Sequence, residues 1–276
     1  MLMAGLGALA VAASWTIWRG IFAYALADAE QSHVLLAPVI AVWLIWVRRE
    51  RLRRTRPQWS LAGPAIIAFG VGSAMYGFSN GHLALEHFGA VAMFIGALVS
   101  IVGVQTARAF LPALVALFFL IPVPGMVRQQ IAIPLQNMTA LITSAGLDLV
   151  GFDVIREGNV MVINGREVAV AEACNGMRMV SALVLVSYAF VFSTPMRQGV
   201  RLTILLASPV VALLCNVIRL VPVVLFYGYA SDSTADFFHD ISGWIVLLIA
   251  LGILWSFLSL LRWIEVPIAP YAVAPE

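Results

Sequence analysis

Long apolar runs separated by short polar breaks dominate this chain. Runs near 2–26, 33–47, 61–79, 87–106, 109–123, 174–194, 201–228 and 242–262 approach the length of a helix that crosses a bilayer. They predict an all-α polytopic membrane protein with about eight transmembrane helices. Together these form a single integral membrane domain over residues 1–276. The second and fifth runs are short, which predicts tilted, kinked or shielded helices. The first run, from Leu2 to Ala27, is too long for a signal h-region and lacks a basic n-region. It predicts a true span, with Arg19 as its candidate interruption.

The segment 124–173 breaks the pattern. In its first part, Ile131, Leu135, Met138 and Ile142 recur at three- and four-residue steps among Arg128, Gln129, Gln130, Gln136 and Asn137. This predicts an amphipathic helix lying on a membrane interface. In its second part, Val160-Met161-Val162-Ile163 and Val168-Ala169-Val170 flank Asn164-Gly165. That dipeptide is a strong two-residue turn signal, so a small β-hairpin is expected. The hairpin leads straight into Glu172 and Cys174 and is expected to cap them.

Composition strengthens the membrane assignment. The chain is 62% hydrophobic and 11% charged. Its net charge of +2 gives no sign of nucleic-acid binding, and two distant Cys make no disulfide framework. The basic residues, all Arg, set an orientation. Arg48, Arg49, Arg51, Arg53, Arg54 and Arg56 follow the second run, Arg108 the fourth, Arg197 and Arg201 the sixth, and Arg262 the eighth. All lie on one side if both termini are cytoplasmic. Segment 124–173 is then extracytoplasmic.

Chemistry concentrates in the second half. In Ala173-Cys174-Asn175-Gly176-Met177-Arg178, a thiol stands four residues before an Arg, where a polar segment becomes apolar. A cationic neighbour and a helix N-terminus both lower a thiol's pKa and make it nucleophilic. A membrane Cys is more often a small core residue, and Cys215 fits that description in mid-run. Cys174, beside Glu172, Asn175 and Gly176, sits in a setting that favours a nucleophile. Arg219 follows Asn216 by three residues, so both side chains can share one face of the next helix. A guanidinium inside hydrocarbon needs a partner or water, and it can hold a carboxylate or an oxyanion. His239 precedes the last run, on the same side as Cys174, and could take and return a proton. Asp240 is its candidate orienter. His33, His82 and His87 match no compact ligand spacing, even with Glu86, so no metal is expected.

These residues together resemble the exosortase/archaeosortase family of membrane transpeptidases. The Cys box, Asn216-Val217-Ile218-Arg219 and the His of Phe237-Phe238-His239-Asp240 carry the resemblance in order. Ser32-His33 followed by an apolar run and Arg48-Arg49 is similar to the family's N-terminal part. Phe118-Phe119-Leu120-Ile121-Pro122-Val123-Pro124 and Pro134-Leu135-Gln136 are similar to its centre. The similarity covers about residues 30–262. The box departs from the family's usual Ala-Cys-Ser-Gly-Leu-Arg at Asn175 and Met177.

The resemblance implies a cysteine transpeptidase of the bacterial inner membrane, working at its outer face. Cys174 would be the nucleophile, with Arg219 and His239 as the other catalytic positions; His at the third position fits the bacterial form. Glu172, Asn175, Gly176, Arg178, Asn216, Asp240 and His33 would support the site or bind substrate. The implied substrate is the C-terminal sorting signal of an exported protein: a short Pro-containing motif of the Pro-Glu-Pro kind, a transmembrane helix and a basic tail. An unidentified acceptor nucleophile and membrane lipid complete the partners, and no cofactor is expected. Two other classes fit the hydropathy: a non-catalytic component of surface-polysaccharide export, and a small-solute transporter. A transporter often shows inverted repeats, and none is found here.

Overall fold

The computed structural model describes residues 2–27, 31, 34–55, 58–169 and 176–263. The chain divides into two compact units, Met1–Pro124 and Gly125–Glu276. Helices occur in every predicted apolar run. Among the described residues, four are long and apolar enough to cross a membrane, or five if Leu111–Leu120 and Gly125–Leu149 count as one broken span. The hydropathy pattern predicts about eight; the other runs hold shorter helices.

The first unit opens with α1 (Leu2–Ala13) and α2 (Trp15–Ala27). They divide at Ser14, not at the expected Arg19, which lies inside α2. Ser14 Oγ donates to the Ala10 carbonyl at 2.8 Å. Such back-bonding competes with the helical ladder and bends the helix. α3 (Leu36–Val47) buries Ala37, Ile40, Ala41 and Leu44. α4 (Ala62–Asn80) and α5 (Leu83–Ala109) then form a tight hairpin. Gly81, at φ +67°, and His82 close α4 with bonds to the Phe78 and Gly77 carbonyls, a glycine C-cap.

Glycine explains how close α4 and α5 come. Gly63, Gly70 and Gly77 line one face of α4 at seven-residue steps; Gly89 and Gly96 do the same on α5. A Cβ added at Gly70 would sit 2.8 Å from the Gly89 carbonyl, and one at Gly89 would sit 2.5 Å from that of Gly70. The two backbones therefore touch directly. α5 is kinked at Gly103, whose φ of 78° any side chain would resist. The fifth predicted run yields only α6 (Leu111–Ala116), which tightens into a 3₁₀ turn at Leu117–Leu120. Ile121 is extended ahead of Pro122, as a residue before proline tends to be.

The second unit begins with α7 (Gly125–Leu149). The expected helix is present, and most of its apolar stripe faces outward, as on a helix lying along a membrane interface. Ile131, Met138 and Ile142 are exposed, whereas Thr139, Ala140, Thr143, Ser144 and Leu147 are buried. Apart from Leu147, the buried residues are small and admit close neighbours.

In place of a two-stranded hairpin there are three antiparallel strands, β1 (Val154–Glu157), β2 (Val160–Ile163) and β3 (Arg166–Ala169), in that order. The Asn164-Gly165 turn has both residues at positive φ, 50° and 72°, as a type I′ turn requires. The added strand comes from Gly158-Asn159, where only Gly158 has positive φ, at 65°. That is the glycine-first arrangement of a type II′ turn.

α8 (Gly176–Ser193), α9 (Gln198–Tyr229) and α10 (Asp232–Trp263) complete the unit. α9 serves two cores. Ile204, Ala212 and Cys215 pack with Leu183 and Val191 of α8 and Val246 and Ala250 of α10. Further along, Leu220, Val223 and Val224 pack with Ala140 and Leu147 of α7 and Met161, Ile163 and Val168 of the sheet.

Candidate functional site

α9 is apolar along most of its 32 residues, so a guanidinium within it needs acceptors close by. The early turns of α10 supply them. Arg219 Nε donates to Ser242 Oγ at 2.9 Å, and Arg219 Nη2 donates to the His239 carbonyl at 3.1 Å. Ser242 Oγ in turn donates to the same carbonyl at 2.8 Å. Gly243 lies beside this group: a Cβ there would meet Arg219 Cζ and Nη2 at 3.9 Å, an ordinary contact distance.

Both acceptors are neutral. Among the described residues, no carboxylate lies within ion-pair distance of Arg219. A guanidinium carries five N–H donors, and among the described residues only two nitrogens of this one find acceptors. One turn earlier on α9, Asn216 is buried and its Oδ1 has no hydrogen-bond partner among the described residues. The i, i+3 spacing puts the two polar groups on one helix face, as the sequence predicts.

His239 is mostly buried, and its Nδ1 lies 3.4 Å from Asp240 Oδ1. Asp240 itself is almost fully exposed, so water weakens this contact. Adjacent helical positions do not face one another, yet here the two side chains lean together at the start of α10.

Further contacts fix the corner where α9 meets α10. The Phe226 and Phe238 rings stack at 4.3 Å. Tyr227 Oη donates to Asp236 Oδ1 at 2.9 Å. The sheet is fastened to the same corner. Asn164 Nδ2 donates to the Gly228 carbonyl at 3.0 Å, and Arg166 Nη1 donates to the carbonyls of Tyr227 and Ala230 and to Asp232 Oδ1. The turn that folds the hairpin is thus also the part that docks it. Gly228 allows this approach, since a Cβ there would lie 2.7 Å from Ile163 Cγ2.

Arg219 and the His239 backbone are therefore brought together. Cys174, Asn175, Glu172 and His33 lie outside the described residues. Gly176 and Arg178 fall in the first turn of α8, and the Arg178 side chain lies outside the described set. Cys215 is fully buried in the apolar core of α9, as expected of a structural thiol. In the first unit, His82 is exposed at the start of α5 beside Tyr76, and His87 is buried with no partner for Nδ1 among the described residues.

Sequence reasoning missed Ser242, Tyr227 and Asp236. Ser242 had a usable signal: it stands three residues after His239, on the same helix face. The Tyr227–Asp236 pair joins two helices across a corner and leaves no periodic trace.

The family model for transmembrane exosortases matches residues 15–256. No curated protein and no solved structure matches the chain. The family match takes in α2 through most of α10, including Arg219, Ser242 and His239. With its long apolar helices, this is a membrane protein that belongs to the transmembrane exosortase family.

Proposed function

We propose that the protein is a membrane cysteine transpeptidase or protease that cleaves the C-terminal sorting signals of exported proteins. The site faces the extracytoplasmic side, as the Arg distribution of the sequence favours. One observation carries the reading. A guanidinium in an apolar helix is held only by neutral acceptors among the described residues, directly against the His239 turn, and only two of its nitrogens find acceptors there. Such a group suits an anionic partner that arrives with the substrate or develops during reaction.

The chemistry follows from these roles. Cys174 Sγ attacks the carbonyl carbon of the scissile peptide, and its proton passes to His239. Arg219 stabilises the oxyanion or holds a carboxylate of the substrate. The C–N bond then breaks, and His239 returns the proton to the leaving amine. An acceptor nucleophile, or water, takes the acyl group from the thioester and restores the thiol. These steps need no metal or organic cofactor.

The test uses a membrane-anchored reporter ending in a Pro-Glu-Pro motif, an apolar helix and an Arg tail. Cells expressing the wild-type enzyme are expected to cleave it, and Cys174→Ala to abolish cleavage. Cys215→Ala should leave cleavage largely intact, because that thiol is a core residue. Normal processing by Cys174→Ala would overturn the thioester mechanism.

A further inference from the structure

We propose that Ser242 is a positioning residue that sets the plane of the Arg219 guanidinium, so that its Nη1 edge faces the anion. This rests on the function proposed above. Three hydrogen bonds form a closed set: Arg219 Nε to Ser242 Oγ, Arg219 Nη2 to the His239 carbonyl, and Ser242 Oγ to that same carbonyl. Two bonds from adjacent nitrogens of a rigid planar group fix its orientation, where one bond would leave it free to swing. The edge bearing Nε is docked on α10, which leaves Nη1 and the second Nη2 proton for another partner.

Ser242 is nearly inaccessible to solvent, so water cannot readily replace its hydroxyl. The hydroxyl also does two jobs that no apolar residue can do, accepting from Arg219 and donating to His239. Loss of Oγ leaves the His239 carbonyl as the only described acceptor for Arg219. The side chain then pivots about a single bond, and the proton-transfer residue and the cation lose their common anchor.

The anion has two possible sources, an oxyanion formed during cleavage or a carboxylate of the bound substrate. Kinetics separate them. Cleavage of the Pro-Glu-Pro reporter would be measured in membranes from cells expressing wild type, Ser242→Ala and Ser242→Thr, at matched enzyme amounts. A hydrogen bond to a charged group corresponds to about a 10- to 100-fold effect. Ser242→Ala is expected to lose that factor in kcat if the anion is the oxyanion, or to gain it in KM if the anion is a substrate carboxylate. Ser242→Thr is expected to recover most of the loss, because a helical Thr hydroxyl can bond the carbonyl three or four residues back. Wild-type kinetics in Ser242→Ala would overturn the proposal. So would a Ser242→Thr enzyme as poor as Ser242→Ala, which would mark Ser242 as a packing residue. Cys174→Ala is run alongside: if it cleaves, the catalytic reading fails, whereas a dead Cys174→Ala beside a normal Ser242→Ala sinks only the Ser242 role.

Discussion

The two units of this protein pack by opposite means. In Met1–Pro124, α4 and α5 meet through absent side chains, with Gly70 and Gly89 bringing backbone against backbone. In Gly125–Glu276, larger side chains interdigitate between helices and sheet, and polar side chains fasten the α9–α10 corner. The first arrangement gives close dispersion contact and leaves few groups for chemistry. The second keeps side chains in defined orientations, which a reacting site requires. The three catalytic candidates of the sequence, Cys174, Arg219 and His239, all fall in the second unit, and of the supporting candidates only His33 does not.

The largest expected effect tests whether the second unit holds Arg219 for its donors or only for its charge. Arg219→Lys keeps a cation but replaces a planar fork with a point charge. An ammonium donates from one atom and lacks the planar edge that docks on Ser242 and the His239 carbonyl while presenting Nη1 elsewhere. Removing one oxyanion donor typically costs about 100- to 1000-fold in rate. A loss of that order is expected in reporter cleavage at matched enzyme amounts. Near-normal turnover would reduce Arg219 to a structural cation.

The next prediction strikes the first unit. Gly89→Val forces a branched side chain into the Gly70 carbonyl, where the obstacle is backbone and cannot rotate away. Overpacking of this kind costs about 1–3 kcal/mol or more. Thermal unfolding in detergent should fall accordingly. In a Cys174→Ala background the buried Cys215 is the only thiol, so its labelling rate reports opening of the second unit. A Gly89→Val protein that melts early while Cys215 labels at its normal rate would sharpen the distinction between the units. Rapid labelling would break it, because damage to the glycine hairpin would then be opening the second core.

These contrasts also show what the residue pattern conveys and what it hides. The Asn164-Gly165 turn could be read directly, because few residues tolerate positive φ at two successive positions. The apolar runs were equally plain, but among the described residues only four or five of the about eight expected spans are long and apolar enough to cross a membrane. The outward stripe of α7 fits the expected interfacial helix, whereas the 139–147 face that packs inward has no apolar period to mark it. In a membrane setting, large apolar residues suit lipid as well as core, so the stripe at Ile131, Met138 and Ile142 points outward while Thr139 and Thr143 are buried. The break at Ser14 comes from one hydroxyl bonding its own helix, which hydropathy does not register. Arg219 and His239 stand out in the sequence by residue type. Their link through Ser242 does not, since it depends on how α9 meets α10.

A milder change probes the docking of the sheet. Gly228→Ala would place a methyl group 2.7 Å from Ile163 Cγ2, so Ile163 must shift or the strand must lift. A cost of about 1 kcal/mol is expected, toward the low end for overpacking, because an Ile side chain can give where backbone cannot. Circular dichroism melts in detergent would show it. An unchanged melting temperature would mean that the sheet sits on α9 more loosely than its contacts imply.

The smallest effect separates the two roles of Arg166. Its ion pair with Asp232 is exposed on both sides, and such pairs contribute only about 0–1 kcal/mol. Its bonds to the Tyr227 and Ala230 carbonyls reach the end of α9, where helical carbonyls lack partners in their own helix. A cation there also complements the helix dipole. Asp232→Asn should therefore barely change stability, and high salt should erase what change there is. Arg166→Ala should cost more than Asp232→Asn, because it removes the carbonyl bonds as well. Paired melts at low and high salt decide the point. If the two variants are equally destabilised and both recover in salt, the ion pair is the whole of the Arg166 contribution, and the carbonyl bonds add nothing to the docking of the sheet.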